Sequence, residues 1–361
     1  MNVRLLLLGA GSGAANNLVR SLRAHDRALT IIGSHHDRFI LRTAPTERRY
    51  LLPAASHPGF VDALNQLIAA ERIDVVVPTS DRDTRALAAA REHLGCRTLL
   101  PTLSTIDVCQ DKYAFADVLS ARGIAVPETV ALGGLDDVEV AFVRLGRHAR
   151  LWCRRRRGEG GLGALLVARA EQARAWIAYW AEMRGVAASE FTLAEYLPGR
   201  DFAGQALFVH GDPIVIHAYE RLSYLGGGAA PAGVGLAALG KRIVDRRVSD
   251  LVTAAVRALE PDASGVFCFD AREDAAGAPR LTELNAGRFG LSAILLDLVG
   301  KVNLASAYVR LAMGEHPEPI LEPEPCDDWY IVRDYDGAPA VLRADEFFTG
   351  IEAAPSHVAL R

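Results

Sequence analysis

The segment WCRRRRGEGGLGALL, residues 152–166, places four consecutive arginines directly before a glycine-rich turn. Side chains alternate along a strand, so Arg154 and Arg156 share one face while Arg155 and Arg157 share the other. Glycines let backbone N–H groups approach a phosphate closely, and an arginine before the turn can donate a pair of hydrogen bonds to its oxygens. The segment therefore predicts a phosphate-binding hairpin, with a solvated basic hairpin as the alternative.

Composition argues against a surface that binds nucleic acids. The chain has 361 residues, with 40 Lys and Arg against 44 Asp and Glu and a formal net charge of −4. A chain so balanced is not a general polyanion binder, and its length predicts two or three packed lobes. No apolar stretch reaches the ~18 residues of a membrane-spanning helix, and the run Leu5 to Leu8 is too short for a signal peptide. We therefore expect neither a nucleic acid nor a membrane as partner.

The cysteines are widely spaced and form no CxxC or CxxH pair: Cys96, Cys109, Cys153, Cys268 and Cys326. This spacing predicts neither a disulfide framework nor a structural zinc site. A reducing, cytoplasmic location fits it best.

The first 105 residues or so alternate between strand-like and helix-like segments. Strands are expected at 3–8, 28–34 (ALTIIGS), 74–80 (DVVVPTS) and 97–102 (RTLLPT). Such alternation predicts a parallel sheet with helices on both faces, an α/β lobe.

A glycine loop, GAGSGAA at residues 9–15, follows the first expected strand and opens a helix. This is the place of a dinucleotide phosphate loop, which makes an NAD-linked Rossmann oxidoreductase an alternative function. The second strand, however, ends in residues 33–36 (GSHH), and Asp37 comes late for a ribose-binding acid. The other interpretation is that these glycines only permit tight packing of strand on helix.

The pattern changes after the first lobe. The segments around 111–195 indicate a small α+β lobe that contains the arginine hairpin, and those from about 200 onward indicate further strands, a long helix at 241–260 and a helix from about 291. The segment DWYIVRDYDGAPAVLR, residues 328–343, is typical of a terminal hairpin.

The segment FDAREDAAGAPRLTELNAGRFG, residues 269–290, carries a candidate metal site. Glu283 and Asn285 are two apart on one expected strand and share a face, and Asp270 precedes them across an expected hairpin turn. Two carboxylates and an amide offer oxygen ligands alone, which suits Mg²⁺. The alternative is a set of surface charges on a hairpin, which the apolar neighbours disfavour.

Together these motifs resemble the ATP-grasp superfamily over about residues 1–310, and are most similar to the synthetase units of the carbamoyl-phosphate synthase large subunit and to carboxylate–amine ligases. The resemblance implies three parts: an N-terminal Rossmann-like domain (1–110), a lid subdomain (111–195) and an antiparallel C-terminal ATP-binding subdomain (196–324). Residues 325–361 form a C-terminal extension that could pack on a neighbour in a homodimer.

The resemblance also implies roles for individual residues. Lys112 in QDKYAF and Arg154 match basic residues that contact ATP phosphates, and Arg288 resembles the arginine that stabilises the transferring phosphate. The implied ATP-binding set also includes the covering loop, the adenine-reading segment and the ribose acid: Gly160, Gly161, Gly163, Glu195, Tyr196, Leu197 and Asp201. The implied metal ligands are Asp270, Glu283 and Asn285.

This chain departs from the family pattern at three points. Many members carry Lys where Arg154 stands, and arginine is closer to the carbamoyl-phosphate synthase pattern. The family's Asn-Pro-Arg is replaced by residues 285–288 (NAGR), one residue longer. The chain also has a single synthetase unit and no glutaminase, which argues against making carbamoyl phosphate from glutamine.

Substrate contacts are expected at two further places. Thr79, Ser80 and Asp81 follow a strand at its carboxyl end, where open sheets bind ligands, and three more candidates lie in VIHAYERLSYLGGG: His217, Glu220 and Arg221. Ordinary loop polarity is the alternative. The segment LGGGAAPAG, residues 225–233, is a candidate mobile loop.

The resemblance implies an ATP-dependent ligase that activates a small carboxylate as an acyl-phosphate and couples it to an amine. The implied cofactors are ATP and Mg²⁺, with Mn²⁺ as a substitute. Two alternatives remain beside the oxidoreductase: an enzyme that phosphorylates carbamate or a carboxylate, and a nucleotide-binding regulatory protein.

Overall fold

A computed structural model describes residues 3–26, 28–158, 160–226, 236–315, 328–335, 337–347 and 349. Among these residues, no helix combines the length and the apolar character needed to cross a membrane.

The first lobe is a parallel four-stranded sheet with the strand order β3-β2-β1-β4. Its strands are β1 (Arg4–Leu8), β2 (Thr30–His35), β3 (Arg48–Leu51) and β4 (Val75–Val77). Its helices are α1 (Gly13–His25), α2 (Arg38–Arg42), α3 (Phe60–Glu71), α4 (Asp81–Ala89) and α5 (Leu103–Cys109). Leu5, Leu6 and Leu7 on β1 are fully buried, as a strand covered on both faces requires.

The prediction of a strand at 97–102 is wrong. Arg97 forms an isolated bridge to Val75, and the strand pairing goes no further. Pro101 in this stretch lacks a backbone N–H, which disfavours a longer ladder. The fourth strand is instead β3, whose mostly exposed side chains give it no hydrophobic pattern by which the sequence could reveal it.

The second lobe is a small antiparallel sheet with the order β5-β8-β6-β7. It consists of β5 (Thr129–Ala131), α7 (Asp137–Arg144), β6 (Leu151–Arg155), β7 (Leu165–Val167), α8 (Ala170–Arg184) and β8 (Phe191–Glu195), and α6 (Lys112–Ala121) leads into it. Strands β6 and β7 are the predicted arginine hairpin. This lobe, called the lid below, packs around its own apolar cluster, which includes Val138, Ile177 and Phe191.

The third lobe is built on a seven-stranded sheet with the order β13-β12-β9-β10-β11-β14-β15. Its elements are β9 (Asp201–Val209), β10 (Asp212–Tyr224), β11 (Ala237–Ile243), α9 (Arg246–Leu259), β12 (Gly265–Glu273), β13 (Pro279–Ala286), α10 (Leu304–Ala312), β14 (Trp329–Val332) and β15 (Ala340–Arg343). The helix predicted at 241–260 is shorter in the structure. It begins at Arg246, because the side chain of the N-cap residue Asp245 accepts a hydrogen bond from the Arg247 N–H. The helix predicted from about 291 is divided into a 3₁₀ helix, Ala293–Leu298, and α10.

The predicted terminal hairpin is present as β14 and β15, and it extends the large sheet through pairing of β14 with β11.

Two apolar clusters each combine residues of the first and third lobes, for example Leu6 with Phe267 and Leu5 with Leu207. The first and third lobes therefore share a core, and the predicted mixture of α/β and α+β architecture is confirmed.

Candidate functional site

A cavity of about 270 Å³ lies between the lid and the large sheet. Most of the predicted site residues line it, although they come from all parts of the second and third lobes. They are Lys112, Arg154, Gly160, Gly161, Glu195, Tyr196, Leu197, Asp201, Arg221, Asp270, Glu283, Asn285 and Arg288.

The four arginines of the hairpin have different surroundings. Arg155 pairs with Glu190 at 3.2 Å, and Arg156 and Arg157 pair with Asp111 at 2.8 and 3.4 Å. Arg154 and Arg155 both line the cavity. Arg154 differs in that it faces β13, where its Nη2 donates to the carbonyl of Thr282 at 3.3 Å.

Arg154 is a buried cation with unused hydrogen-bonding capacity. Its Nε is buried and has no hydrogen-bond partner among the described residues. Burial lowers its pKa, while the carboxylates of Glu283 and Asp270 act in the opposite direction. A guanidinium so placed can donate to an anion that enters the cavity.

Lys112 is positioned by a helix cap. Asp111 caps α6 by accepting hydrogen bonds from Tyr113 and Ala114, which leaves Lys112 at the first turn with its side chain over the cavity. Its Nζ donates to the carbonyl of Gly158 at 2.8 Å and lies 3.8 Å from Glu283. The lysine therefore connects the glycine turn of the lid with the predicted metal ligands.

The glycine turn depends on backbone conformations that other residues rarely adopt. Gly160 and Gly161 have φ of 67° and 71°, in the left-handed region that glycine tolerates. Both line the cavity. Gly163, also predicted for this set, has φ of 81° but lies outside the cavity, where an added Cβ would be 2.9 Å from Arg155 Cγ.

The predicted metal ligands lie on two paired strands. Asp270 on β12 is directly opposite Glu283 on β13, and Asn285 follows opposite Cys268. All three line the cavity. Among the described residues there is no metal-binding group of three or more His, Cys, Asp or Glu side chains, so the predicted set includes the amide oxygen of Asn285 as its third ligand. The site thus offers two carboxylates and an amide, an oxygen donor set that fits Mg²⁺.

The two carboxylates differ in charge environment. Burial raises the pKa of Asp270, against the opposing effect of Arg221. Burial acts in the same direction on Glu283, but the nearby positive charges of Lys112, Arg154 and Arg288 together lower its pKa. Glu283 is therefore the carboxylate held more firmly in its ionised form.

Arg221 joins the predicted ribose acid to the predicted metal site. Its Nη1 donates to Asp201 at 3.0 Å, and its Nη2 forms an ion pair with Asp270. The second oxygen of Asp201 accepts a hydrogen bond from Tyr224. Arg221 was predicted as a substrate contact, and the structure places it between two carboxylates instead of at a free position.

The far end of the cavity carries two residues that the sequence analysis missed. Trp152 lies with its ring centroid 6.4 Å from that of Tyr196, and the guanidinium of Arg272 lies 5.3 Å over Tyr196. A flat base could stack among such groups. Trp152 could have been found, because it is two residues before Arg154 and shares its face of β6.

Asp81 and Arg288 form an ion pair between the first and third lobes. Arg288 also donates from Nη2 to Asn285 Oδ1 at 2.8 Å. Asp81 does not line the cavity itself, but its partner Arg288 does.

The other predicted substrate residues lie away from the cavity lining. Thr79 donates to the carbonyl of Leu8 at 2.8 Å, and Ser80 caps α4. Glu220 pairs with Arg200 at 2.6 Å. His217 is buried 3.6 Å from Asp297. The candidate mobile loop at 225–233 falls mostly in residues 227–235, outside the described part of the chain.

The N-terminal glycines are explained by close packing. A Cβ added to Gly9 would be 2.3 Å from Thr79 Oγ1, and one added to Gly11 would be 2.0 Å from the carbonyl oxygen of Ile40. Both have positive φ, 77° and 94°. These contacts favour the packing interpretation of GAGSGAA over a dinucleotide site.

Solved structures share this fold over nearly the whole chain. An L-amino acid ligase from Bacillus licheniformis matches with a TM-score of 0.68 and 17% identity, over 91% of this chain and 79% of its own. A biotin carboxylase from Campylobacter jejuni, in a beta-gamma-ATP complex, matches with a TM-score of 0.69 and 13% identity, over 91% of this chain and 75% of its own. An N5-carboxyaminoimidazole synthetase from Staphylococcus aureus complexed with ADP matches with a TM-score of 0.69 and 13% identity, over 92% and 82%.

These matches identify the architecture as the ATP-grasp fold, and the resemblance that the motifs indicated is confirmed at that level. No protein-family model matches the chain, and no curated protein matches its sequence.

Proposed function

We propose that this protein is an ATP-dependent ligase that activates a carboxylate as an acyl-phosphate and couples it to an amine, with release of ADP and phosphate. The observation that carries the proposal is the convergence on one cavity of a buried cation, Arg154, a glycine turn and two carboxylates, Asp270 and Glu283. A nucleotide-binding regulatory protein would be favoured if this metal-ligand set were incomplete, but Asp270, Glu283 and Asn285 are all present. The fold that the chain shares with an L-amino acid ligase and with a synthetase complexed with ADP supports the same function.

The two ends of the cavity suit different parts of ATP. The base would lie among Trp152, Tyr196 and Leu197, and the phosphates would lie at the opposite end. There Lys112, Arg154 and the amides of the glycine turn would hold the phosphate oxygens. Asp201 would reach the ribose after a change in its contacts with Arg221 and Tyr224.

Asp270, Glu283 and Asn285 would hold Mg²⁺, and Mn²⁺ could replace it because it also prefers oxygen ligands. A divalent ion held there would neutralise charge on the phosphates of ATP. Lys112 and Arg154 would add fixed positive charge on the same phosphates.

The reaction follows from this placement. An oxygen of the substrate carboxylate forms a bond to the γ-phosphorus, and the bond from that phosphorus to the β,γ-bridging oxygen breaks to release ADP. The amine nitrogen then forms a bond to the acyl carbon, phosphate leaves with the C–O bonding pair, and the amine loses a proton. Arg288 would neutralise the transferring group, so the protein would act mainly through position and charge.

The three-part organisation proposed for the chain consists of a Rossmann-like domain at 1–110, a closing lid at 111–195 and a catalytic ATP-binding subdomain at 196–324, with the substrate between the first and the last of them. An acyl-phosphate must be protected from water. Closure of the lid over the cavity would provide that protection.

Thermal unfolding tests the nucleotide site directly, because a ligand that binds the folded state raises the unfolding midpoint. We expect MgATP to raise the midpoint, EDTA to reduce that rise, and NADH to have no effect. A rise with NADH alone would contradict the proposal. Release of phosphate in a screen of carboxylate and amine pairs then identifies the reaction, and release with bicarbonate alone would favour a carbamate-type enzyme.

A further inference from the structure

The cavity extends past the proposed metal ligands along the large sheet. Ala203 on β9 lies in register between Asp270 on β12 and Tyr219 on β10, and residues directly opposite each other in a sheet share one of its faces. The lining therefore changes, within one row, from a carboxylate to a methyl group and a phenol ring. Other residues that line this part are small or apolar: Gly204, Ala237, Gly290, Leu291, Ser292 and Ala293. We call this part, with Ala203 and Tyr219, the apolar chamber.

The apolar chamber is continuous with the buried core. Four of its residues are only 3% or 4% exposed and belong to the apolar cluster that the first and third lobes share: Ala203, Tyr219, Ala237 and Ala293. Its two hydroxyl groups already have partners, because Tyr219 hydrogen-bonds with Ser292 and Ser292 Oγ also accepts from Arg333 Nη1 at 2.8 Å. A substrate group in the chamber would therefore contact mainly methyl groups and the ring of Tyr219. A charged group there would lose its hydration and gain little in exchange.

The connection between β10 and β11 has the same chemical character. Residues 227–235 have the sequence GGAAPAGVG, which contains only glycine, alanine, proline and valine. This connection therefore has no charged side chain to offer to the chamber.

Leu291 is held in the chamber wall by contacts from two lobes. The N–H of the preceding residue, Gly290, donates to Gln205 Oε1 on β9 at 3.3 Å. The Leu291 carbonyl accepts a hydrogen bond from Nδ2 of Asn17, a buried residue of α1, at 2.7 Å. The Leu291 side chain also lies against the start of α1, because a Cβ added to Gly13 would be 3.0 Å from Leu291 Cδ1. Leu291 is thus a fixed apolar residue at the boundary between the first and third lobes.

The apolar chamber begins where the proposed reaction takes place. Arg288, which would neutralise the transferring phosphate, is two residues before Gly290, and Asp270 is in register with Ala203. ATP would occupy the cavity from Trp152 to the metal ligands, so the chamber is the part of the cavity that the nucleotide would leave open. A carboxylate that met the γ-phosphate beside Arg288 would place its carbon skeleton in the chamber.

We propose that the carboxylate substrate carries a small, uncharged, apolar group that binds in the apolar chamber, and that Leu291 sets the size limit of this group. The inference rests on the proposed function, because the group enters the chamber only if the carboxylate reaches the γ-phosphate. Asn17 is then a positioning residue that holds Leu291 in place, which gives the first lobe a part in substrate selection.

Trapping with hydroxylamine tests the carboxylate without knowledge of the amine substrate. The hydroxylamine nitrogen forms a bond to the acyl carbon of an acyl-phosphate and loses a proton, and phosphate leaves with the C–O bonding pair. The hydroxamate that forms is measured by its colour with iron(III). The full chain is incubated with MgATP, hydroxylamine and one of four carboxylates: propionate, isobutyrate, succinate or 3-phenylpropionate.

We expect kcat/KM for propionate or isobutyrate to exceed the values for succinate and 3-phenylpropionate by about tenfold or more. The chamber would leave the second carboxylate of succinate without hydration, and it would leave the phenyl ring without room. Equal kcat/KM for succinate and isobutyrate would overturn the inference.

Leu291→Ala should raise the ratio of kcat/KM for 3-phenylpropionate to that for propionate by about tenfold, because it removes the side chain that limits the chamber. Leu222→Ala is the matched control. Leu222 is on β10, is 45% exposed and lies outside the cavity lining, so the ratio should not change. An unchanged ratio in Leu291→Ala would show that Leu291 does not select the substrate.

Asn17→Ala should raise the same ratio by a smaller factor, because Leu291 loses the hydrogen bond to its carbonyl. A lower unfolding midpoint with an unchanged ratio would mean that Asn17 is only structural, and it would contradict the positioning role.

Binding of MgATP, measured by the unfolding midpoint of the wild type, separates failure of this inference from failure of the proposed function. If MgATP raises the midpoint and none of the four carboxylates gives a hydroxamate, the proposed substrate class is wrong and the nucleotide site is supported. If MgATP leaves the midpoint unchanged, the proposed function itself is contradicted.

Discussion

Asp81, at the start of α4 in the first lobe, forms an ion pair with Arg288, which follows β13 in the third. Arg288 in turn donates to Asn285, one of the proposed metal ligands. The parallel sheet of the first lobe therefore contributes to the proposed site by fixing the orientation of an arginine that the third lobe supplies.

Asp81→Asn should lower turnover by about tenfold and change the KM for ATP little, because it loosens Arg288 without removing a phosphate contact. Steady-state kinetics of phosphate release measures both quantities. Asp107→Asn is the control, since Asp107 pairs with Arg85 at 2.6 Å on an exposed part of the same lobe. Equal kcat in the wild type and Asp81→Asn would show that the ion pair has no catalytic role.

Glu283→Gln should reduce ATP turnover by about a hundredfold or more with the fold retained, because it removes one of two proposed carboxylate ligands. The far-UV spectrum and the unfolding midpoint report the fold, and ADP formation reports turnover. Glu315→Gln, which alters an exposed pair with Arg310, should leave both unchanged. Near-normal turnover of Glu283→Gln would rule out the metal assignment.

Gly9→Ala should lower the free energy of unfolding by about 2 kcal/mol, because it combines a positive φ with a clash against Thr79. Urea unfolding measures the loss. Gly134→Ala is a matched control, since its added Cβ would meet nothing within 4 Å. If Gly9→Ala were as stable as the wild type, packing would not explain the glycine loop.

Asp297 should make stability depend on pH. It accepts hydrogen bonds from Ser21 at 2.7 Å and from the Ala305 N–H at 3.0 Å, and it faces His217. Burial raises its pKa to about 7 from an ordinary 3.8. Between these values the folded protein keeps a proton that the unfolded chain releases, so the free energy of unfolding falls as pH rises from 4 to 7, by about 4 kcal/mol at most, and then levels off.

Asp297→Asn should remove this slope, which urea unfolding at a series of pH values measures. His217→Gln separates the two neighbouring groups, because the slope should persist in that variant if Asp297 is its source. A slope of unchanged size in Asp297→Asn would assign the pH dependence to other groups.

Residues on a single hairpin were the most predictable part of the site. Side-chain alternation on one strand brought Glu283 and Asn285 to a common face, and a short turn brought Asp270 opposite them. The glycine turn after Arg154 was similarly predictable from the sequence, because a backbone with positive φ favours glycine. Such features depend on near neighbours in the chain, and the sequence pattern contains them.

Contacts between distant segments were not predictable. The pairing of Asp81 with Arg288 joins residues 207 positions apart, and Arg333 reaches Ser292 only because β14 is added to the large sheet. The alternation of side chains along β10 is compatible with a position of His217 in the cleft, but the His217 side chain lies against Asp297 instead. These positions depend on the strand order, which hydrophobic periodicity does not encode.

The separate apolar cluster of the lid has a thermodynamic consequence. The described contacts near the cavity that tie the sheet of the lid to α6 and to the third lobe are polar: Lys112 N–H to the Arg156 carbonyl at 2.9 Å, Arg156 to Asp111, and Arg154 to Thr282. Heat capacity increases with the apolar surface that a transition exposes. Opening of the lid should therefore change the heat capacity very little. Ionic strength should shift the equilibrium between the open and closed lid more than temperature does.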